Sequence, residues 1–259
     1  MKQDIIFQEQ CVDEIRQMAE STSLCELTSR WMSLSCEKKY SYHFRWAGRP
    51  IIQYPQDIVA MQEIIFDVKP DLIIETGIAH GGSIIFSAAM LAQLDLFEAI
   101  ESGSTIDPRH SKRKVIGIDI DIREHNRVQI ESHPLSSRIQ MLQGSSVDAE
   151  VIKTVYEIAA GYEKVLLCLD SNHTHDHVLA ELEAYAGLVS VGSYCVVFDT
   201  IVEGLPESLS RDRPWGPGNN PKTAVHSFLA KDTRFVVDEF IENKLMITVA
   251  PDGYLKRIK

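Results

Sequence analysis

The sequence predicts an α/β domain whose sheet is mostly parallel and is covered by helices on both faces. From residue 71 onward, short continuous apolar runs alternate with segments of helical spacing, and polar residues or glycines follow most of the runs. Continuous apolar runs are typical of strands buried on both faces, as in a parallel sheet. The 259 residues, 44% hydrophobic and 24% charged, suffice for one large globular domain with an added arm.

The predicted elements follow a regular order. Residues 1–41 predict an N-terminal helical arm, because they have helical spacing and no strand alternation, and residues 42–259 predict the α/β domain. A helix over Gln56–Val68 ends before Pro70. The predicted strands are Leu72–Glu75, Val115–Asp119, Ile139–Leu142, Val165–Asp170 and Tyr194–Asp199, followed by a closing hairpin of Phe235–Asp238 and Lys244–Val249 with one strand antiparallel. The predicted helices between them are Ser83–Leu94, Arg123–Ser132, Val147–Ala160, His175–Val189 and Lys222–Lys231.

Composition narrows the class of protein. The net charge of −11 argues against a protein that binds nucleic acid, since such binding needs a basic face. We find no run of about 18 apolar residues, so we expect no membrane span, and the N-terminus lacks the long apolar region of a secretory signal. The five cysteines form an odd number without a C-x-x-C pair, which predicts free thiols and a cytoplasmic location.

The most informative segment is Asp71–Ser83, which predicts a buried strand, an acidic residue at its end, a glycine loop and the start of a helix. In open α/β sheets, ligands bind beyond the carboxyl ends of the strands. Glu75 in such a loop repels a pyrophosphate and suits a cationic ligand, such as the amino group of S-adenosylmethionine (SAM). The dinucleotide fingerprint fails because Ala79 stands where a glycine is needed. The alternative is a purely structural turn. The candidate cofactor residues here are Glu75, Gly77, His80, Gly81 and Ser83.

The next two strand ends also carry residues that suit a cofactor. Asp119 ends the second predicted strand, where an acid can accept hydrogen bonds from a ribose diol, and Asp121 is either a second reader or a helix cap. Ser145 follows Gly144 after the third strand, where a small turn leaves room for an adenine. We expect Ser146 to cap the following helix, and a purely capping role for this turn remains open.

The fourth and fifth strands end in acids that predict a metal site. Neighbouring strand ends lie about 5 Å apart, so Asp170 and Asp199 can both reach one cation, and Asp170 also borders the predicted cofactor loop. Two carboxylates with waters and substrate oxygens suit Mg²⁺. A zinc site built from His173, His175 and His177 is disfavoured, because they alternate in a turn and no cysteine has finger spacing. His173 and His175 are the candidates for a general base, and His177 is assigned to helix surface or core.

Aromatic and turn-rich segments predict a cover over the site. Residues 40–50 are too apolar for a free linker, and the loop Arg211–Pro221 is long enough to predict an ordered lid or an oligomer contact. Trp46, Gln53 and Trp215 are the candidates for a substrate wall, with a place in the core as the alternative for the aromatic residues.

These residues resemble the cephalosporin hydroxylase-like family of class I SAM-dependent methyltransferases, which includes rhamnosyl O-methyltransferases. The resemblance implies a Rossmann-like fold with a mostly parallel seven-stranded sheet, Mg²⁺-assisted O-methyl transfer and often a homo-oligomer. We do not adopt the hydroxylase activity of the family name, because nothing in the chain resembles an iron or flavin oxygenase site. The stretches that carry the resemblance are Trp46–Asp57, Pro70–Ser83, Leu169–Val178, Val197–Thr200, Trp215–Pro221 and Ala250–Arg257.

The family's metal site carries over onto Asp170 and Asp199. In relatives the residue before the second acid is often itself an acid, but here it is Phe198, which cannot bind a metal. The resemblance therefore leaves the site one ligand short, unless Glu203 or a water fills the place.

The resulting hypothesis is methyl transfer from SAM to a hydroxyl of a sugar or of a glycosylated small molecule. SAM lies over Glu75–Ser83, and Mg²⁺ on the two aspartates binds two oxygens of a vicinal diol and lowers the hydroxyl pKa. His173 or His175 then takes the proton. The alternatives are an NAD-linked oxidoreductase and a non-catalytic sugar-binding protein on the same fold.

Overall fold

A computed structural model describes residues 2–259 of the chain, with side chains from residue 3 onward. Helices and strands alternate along most of this range. The helices are α1 (Lys2–Glu20), α2 (Thr22–Glu37), α3 (Pro55–Val68), α4 (Gly82–Ser102), α5 (Glu124–Glu131), α6 (Ala149–Ala159), α7 (His175–Tyr185), α8 (Pro221–Leu229) and α9 (Glu239–Leu245). The strands are β1 (Phe44–Trp46), β2 (Arg49–Ile51), β3 (Leu72–Thr76), β4 (Lys114–Asp119), β5 (Ile139–Gln143), β6 (Val165–Leu169), β7 (Tyr194–Val197), β8 (Phe235–Val237) and β9 (Tyr254–Arg257).

Within the described residues, seven strands form one sheet in the order β5-β4-β3-β6-β7-β9-β8. The five strands from β5 to β7 pair in parallel, and β9 pairs antiparallel with both of its neighbours. The chain builds the sheet outward from β3 to β5 and then returns to add β6 on the other side of β3. This reversal places a topological switch point between β3 and β6, where open α/β sheets bind their ligands.

Burial on both faces explains why the strands read as continuous apolar runs. Every residue of β3 and of β6 is buried. Alternate side chains enter two separate core clusters, because successive residues of a strand point to opposite faces. Ile73 packs on the face that also carries α3 and α4, whereas Ile74 packs on the other face. Glu75 shares the face of Ile73, so its carboxylate points towards α3 and α4.

Among the described residues, helix α4 is long and apolar enough to cross a membrane by length and composition alone. Its first turns are core residues, since Ile84, Ile85 and Leu91 are fully buried in the cluster under the sheet. It is therefore the core helix that follows the glycine loop.

The N-terminal helices pack on the domain through an aromatic cluster. Met32 of α2 is buried, and the ring of Trp31 lies edge-on to Tyr40 and Tyr54 at centroid distances of 5.2 and 5.8 Å. Helix α1 contacts α9. Ile15 of α1 is also buried, whereas several other apolar residues of this arm are exposed; they include Ile5, Ile6, Phe7, Leu27 and Leu34.

The predicted strand Lys244–Val249 is wrong, and the last strand lies at Tyr254–Arg257 instead. Helix α9 occupies the first part of the predicted strand and ends at Leu245, because Met246 has a φ of 58° that breaks the helix. The apolar residues that follow serve a different purpose, because Thr248 and Val249 both donate hydrogen bonds to the buried carboxylate of Asp57.

Asp57 ties this segment to α3, and we expect Asp57→Ala to lower the free energy of unfolding by about 3–5 kcal/mol. Its carboxylate is fully buried and accepts hydrogen bonds from the Thr248 hydroxyl, the Val249 N–H and, at 2.7 Å, the Tyr254 hydroxyl. Burial raises the pKa of this carboxyl to about 6. Removing it leaves three buried donors unpaired. Urea unfolding measures the loss, with exposed Asp67→Ala of the same helix as the control; equal midpoints for both variants would contradict this assignment.

Candidate active site

The glycine loop that follows β3 is shaped by the end of β6. Gly77 has a φ of 90°, and a Cβ atom at this position would lie 2.1 Å from the backbone oxygen of Asp170. The backbone of Asp170 donates to Thr76 O at 2.9 Å, so the two strand ends are locked together. Only glycine meets both requirements, because other residues rarely adopt this φ and any Cβ would clash.

Asp119 at the end of β4 holds the loop from one side. Its Oδ2 accepts the N–H groups of Ile78 at 2.8 Å and Ala79 at 3.2 Å, and its Oδ1 accepts the N–H of Asp121 at 3.0 Å. A carboxylate offers about four acceptor positions, so one remains available on Asp119.

Arg49 and Asn126 hold the loop from the other side, and the sequence analysis missed both. The Arg49 guanidinium donates to His80 O at 2.7 Å and to Asn126 Oδ1 at 2.8 Å, and Asn126 donates to Ala79 O at 2.9 Å. These contacts fix loop carbonyls, whereas Asp119 fixes loop amides. Arg49 gave one signal in the sequence, a charged residue next to a predicted turn, whereas Asn126 lies inside a predicted helix and gave none.

Glu75 is a buried acid below the loop. It is 4% exposed, accepts a hydrogen bond from the Ser83 hydroxyl and forms no ion pair with a cationic residue of the described chain. Burial raises the pKa of the Glu75 carboxyl to about 7. A cationic ligand would compensate the buried charge, which agrees with the sequence interpretation.

Asp170, His173 and Asp199 come together beside this loop. Their potential ligand atoms all lie within 4.8 Å of one another, and His173 Nε2 lies 3.2 Å from Asp199 Oδ2. Asp199 has a φ of 57°, a left-handed conformation that follows directly after the strand and its buried neighbour Phe198. Because burial and the nearby carboxylates of Asp199 and Glu75 oppose ionisation, the pKa of Asp170 is raised well above its ordinary range. Two carboxylates and an imidazole of this kind can hold a divalent cation.

A cleft joins the loop to this cluster. It has a volume of about 860 Å³, is open to solvent, and is lined by Gly77–Ser83 without Gly81, and by Asp170, His173 and Asp199. A second, narrow cavity, here called the inner cavity, adjoins the cleft between α3, α4 and the ends of β3 and β6. Gln53, Ser83 and Asp170 line both spaces.

Of the three predicted wall residues, only Gln53 is among those that line the cleft. Trp215 lies next to the cluster, with its ring edge-on to that of His173 and the centroids 4.8 Å apart. Trp46 is not among the residues that line the cleft, and its ring packs against Phe86 at 4.9 Å. It belongs to the edge of the core, which was the alternative.

The structure separates the two predicted base candidates. His173 is part of the cluster, whereas His175 begins α7 and binds α8 through a 2.8 Å contact between its Nδ1 and Thr223 Oγ1. The backbone N–H of His175 donates to Asn219 at 2.9 Å. The structure therefore does not bring His175 into the cleft.

Glu203 does not fill the missing ligand position, contrary to one sequence expectation. Its Oε2 accepts the Gly218 N–H at 2.8 Å and the Asn220 side-chain amide, and these donors lower the pKa of Glu203. The carboxylate anchors the loop Arg211–Pro221 instead. Phe198, at the position where relatives often have an acid, is 6% exposed and packs in the core.

The turn after β5 differs in part from its prediction. Asp148, not Ser146, caps α6 by accepting the N–H groups of Glu150 and Val151. Ser146 is buried and donates to the fully buried carboxylate of Glu181 at 2.5 Å. Ser145 is half-buried and is not among the residues that line the cleft.

His177 joins the same polar cluster behind the turn. Its Nε2 lies 3.1 Å from Ser146 Oγ and 3.4 Å from Glu181 Oε1, and Ser171 also donates to Glu181, at 2.6 Å. The sequence placed His177 on the helix surface or in the core, and it is half-buried at this boundary.

The strand order, the acidic glycine loop at the switch point and the adjoining carboxylate–histidine cluster define a SAM-dependent methyltransferase of class I. A family model described as Rhamnosyl O-methyltransferase/CmcI matches residues 38–258. The chain belongs to the rhamnosyl O-methyltransferase/CmcI family, and it is a SAM-dependent O-methyltransferase, as predicted. Family membership decides against the NAD-linked oxidoreductase and the non-catalytic protein.

Named relatives agree with this assignment. Rhamnosyl O-methyltransferases of Mycobacterium tuberculosis and Mycobacterium bovis are each 29% identical over 207 residues, which cover 78% of this chain and 73% of theirs. The Mycobacterium leprae enzyme of the same name is 25% identical over 232 residues, covering 89% and 83%.

Among solved structures, CmcI with Mg and SAM superposes with a TM-score of 0.54 at 17% identity over 84% of this chain and 78% of CmcI. CalS11, a TDP-rhamnose 3′-O-methyltransferase, gives a TM-score of 0.52 at 15% identity over 92% and 95%. At these identities the two likenesses confirm the fold: a mostly parallel, Rossmann-like sheet.

Proposed function

We propose that the protein methylates a hydroxyl of a rhamnosyl group or a similar sugar in this cleft. SAM is the methyl donor, and a divalent cation assists the reaction. The observation that carries the proposal is the meeting of the acidic glycine loop and the Asp170–His173–Asp199 cluster in one cleft. The loop suits a cationic donor, and the cluster suits a pair of neighbouring oxygens. The names of the mycobacterial relatives support a rhamnosyl acceptor.

The loop residues fit SAM. Glu75 offers a buried negative charge for its ammonium group, and Gly77 lets the loop pack directly against the backbone of Asp170, where a Cβ would clash. His80 and Gly81 complete the loop, and α4 begins directly after them at Gly82, with Ser83 in its first turn. The backbone at such a helix start offers N–H donors to a carboxylate.

Two further residues are proposed for the nucleoside part of SAM. Asp119 keeps one acceptor position for a ribose hydroxyl while its other positions hold the loop. Ser145 is proposed to border the adenine, because it follows the strand next to Asp119 in the sheet. Asp170 also lines the cleft and is proposed for the opposite end of SAM, its amino-acid part.

The cluster fits a divalent cation such as Mg²⁺, held by Asp170 and Asp199. Two protein carboxylates are typical for Mg²⁺, whose other positions are filled by water and substrate oxygens. When bound, such an ion lowers the pKa of a hydroxyl and fixes its direction. Phe198 supplies no ligand, so more of these positions fall to water and to the acceptor diol.

His173 is proposed as the general base. Its Nε2 faces the carboxylates of the cluster, so a neutral ring with its hydrogen on Nδ1 can take the hydroxyl proton at Nε2. Asp199, 3.2 Å from that atom, then stabilises the charged ring. Trp215 packs against the ring and keeps it in place.

The direct test is release of S-adenosylhomocysteine (SAH) from SAM with a rhamnosylated acceptor and Mg²⁺. We expect turnover with this acceptor, none with the 2,3-di-O-methylated acceptor, and heat of binding for SAH but not for NAD⁺. Asp176→Asn, an exposed change in the same segment, should leave turnover unchanged. Binding of NAD⁺ with no SAH binding would contradict the proposal.

We also propose that the protein is a cytoplasmic homo-oligomer. The exposed apolar residues of α1 and α2 support the assembly, because a second copy could cover them. Light scattering tests it: a mass of one chain, near 29.2 kDa, would contradict the proposal.

A further inference from the structure

Gln53 carries a buried acceptor atom without a partner. It lies between β2 and α3, is 7% exposed, and its Oε1 finds no hydrogen-bond donor among the described residues. Its side chain lines both the cleft and the inner cavity. An unpaired buried carbonyl costs free energy, so this position points to a donor supplied from outside the chain.

None of the neighbours of Gln53 in the inner cavity donates a hydrogen bond to that oxygen. Glu75 and Asp170 line the same cavity and carry carboxylates, and the hydroxyl of Ser83 already donates to Glu75. Asp57 also lines the cavity, but its oxygens receive hydrogen bonds from the closing segment of the chain. No lysine, arginine or histidine of the described residues lines this space.

The rest of the wall is mostly apolar, with the Ser87 hydroxyl and the Cys168 thiol as its other polar groups. Ile58, Met61 and Phe86 face the same cavity. A group with several N–H donors and a positive charge therefore matches this space better than a neutral hydroxyl. A primary ammonium has three N–H donors, one for each of the acceptor side chains of Gln53, Glu75 and Asp170.

We infer that Gln53 is the third acceptor for the ammonium group of SAM, beside Glu75 and Asp170. This inference rests on the proposed function, and it moves Gln53 from the substrate wall, where the sequence placed it, to the cofactor. Gln53 binds the donor's amino group through Oε1, and the two carboxylates balance its charge. The acceptor sugar is then left to the outer cleft.

The test compares two ligands by calorimetry: SAH, and its deaminated analogue that lacks only the amino group. We expect Gln53→Leu to weaken SAH about 10- to 100-fold, since a hydrogen bond to a charged group is lost. Its affinity for the deaminated analogue should change less than about threefold, because that ligand never makes the contact.

Gln56→Leu is the matched control. Gln56 also has a buried Oε1 without a partner, but it lines neither the cleft nor the inner cavity. Its replacement should leave the affinity for both ligands unchanged. Both leucine variants should melt at or above the wild-type temperature, because each removes an unpaired buried acceptor.

The outcomes separate this inference from the proposed function. Wild-type protein that fails to bind SAH defeats the proposed function, and the inference with it. Wild-type binding with an unaffected Gln53→Leu variant overturns the inference alone. Equal weakening of both ligands also overturns it, because Gln53 would then shape the site without contacting the amino group.

Discussion

Asp170→Asn and Asp199→Asn are each expected to remove Mn²⁺ binding and to slow methyl transfer by about 10²- to 10³-fold or more. Each change keeps the shape of the side chain but removes one of only two carboxylates in the Asp170–His173–Asp199 cluster. Glu203 cannot compensate, because it holds the loop through Gly218 and Asn220. Electron paramagnetic resonance of Mn²⁺ measures binding without relying on turnover.

His173→Gln should separate the two functions of the cluster. As a base, His173 is needed for turnover and not for the cation, so we expect Mn²⁺ affinity within a few-fold of wild type and a rate lower by about 10²-fold or more. Loss of Mn²⁺ binding in this variant would make His173 a metal ligand and would contradict its proposed function. His175→Gln should affect neither measurement strongly, since His175 binds Thr223 outside the cleft.

Gly77→Ala should abolish SAH binding and lower the free energy of unfolding by about 2–4 kcal/mol. The added Cβ meets the backbone of Asp170, which has no flexible end to move away, and the φ of 90° is strained for alanine. The strand ends must separate, and the ammonium site between them is lost. Calorimetry with SAH and urea unfolding measure the two effects.

Gly103→Ala is the control for backbone conformation alone. Gly103 also has a positive φ, 66°, but nothing lies within 4 Å of an added Cβ. We expect a loss of about 1 kcal/mol and unchanged SAH affinity. Similar SAH affinity in Gly77→Ala and wild type would show that the close approach to Asp170 does not shape the site.

The sequence predicted the sheet well because burial leaves a direct mark on it. Strands such as β3 and β6 are buried on both faces, and that requirement produces continuous apolar runs that a reader can recognise. The error at Lys244–Val249 has the same origin. Its apolar residues are buried for another reason, the attachment to Asp57, and burial alone does not distinguish a strand from an anchored loop.

The sequence predicts those parts of the site that depend on the order of the strands. It does not predict those parts that depend on the direction in which a side chain points. Asp170 and Asp199 follow adjacent parallel strands, so the sheet brings them together. His173 and His175 are two residues apart, yet the start of α7 sends one into the cluster and the other towards α8. Only coordinates distinguish them.

The same limit applies to the support of the loop. The unpaired oxygen of Gln53 depends on what the surrounding elements leave unfilled, and no local pattern in the sequence records that. Arg49 and Asn126 act on the loop across 31 and 47 residues of chain, respectively. Such contacts appear only after the domain has folded.

The central claim is that one cleft holds the methyl donor and a divalent cation side by side. Diffraction from crystals grown with SAH and Mn²⁺, recorded for the anomalous signal of manganese, tests it most directly. We expect a manganese peak between Asp170 and Asp199, and SAH over Gly77–Ser83 with its amino group at Glu75. A manganese peak elsewhere, or SAH bound away from this loop, would contradict the claim.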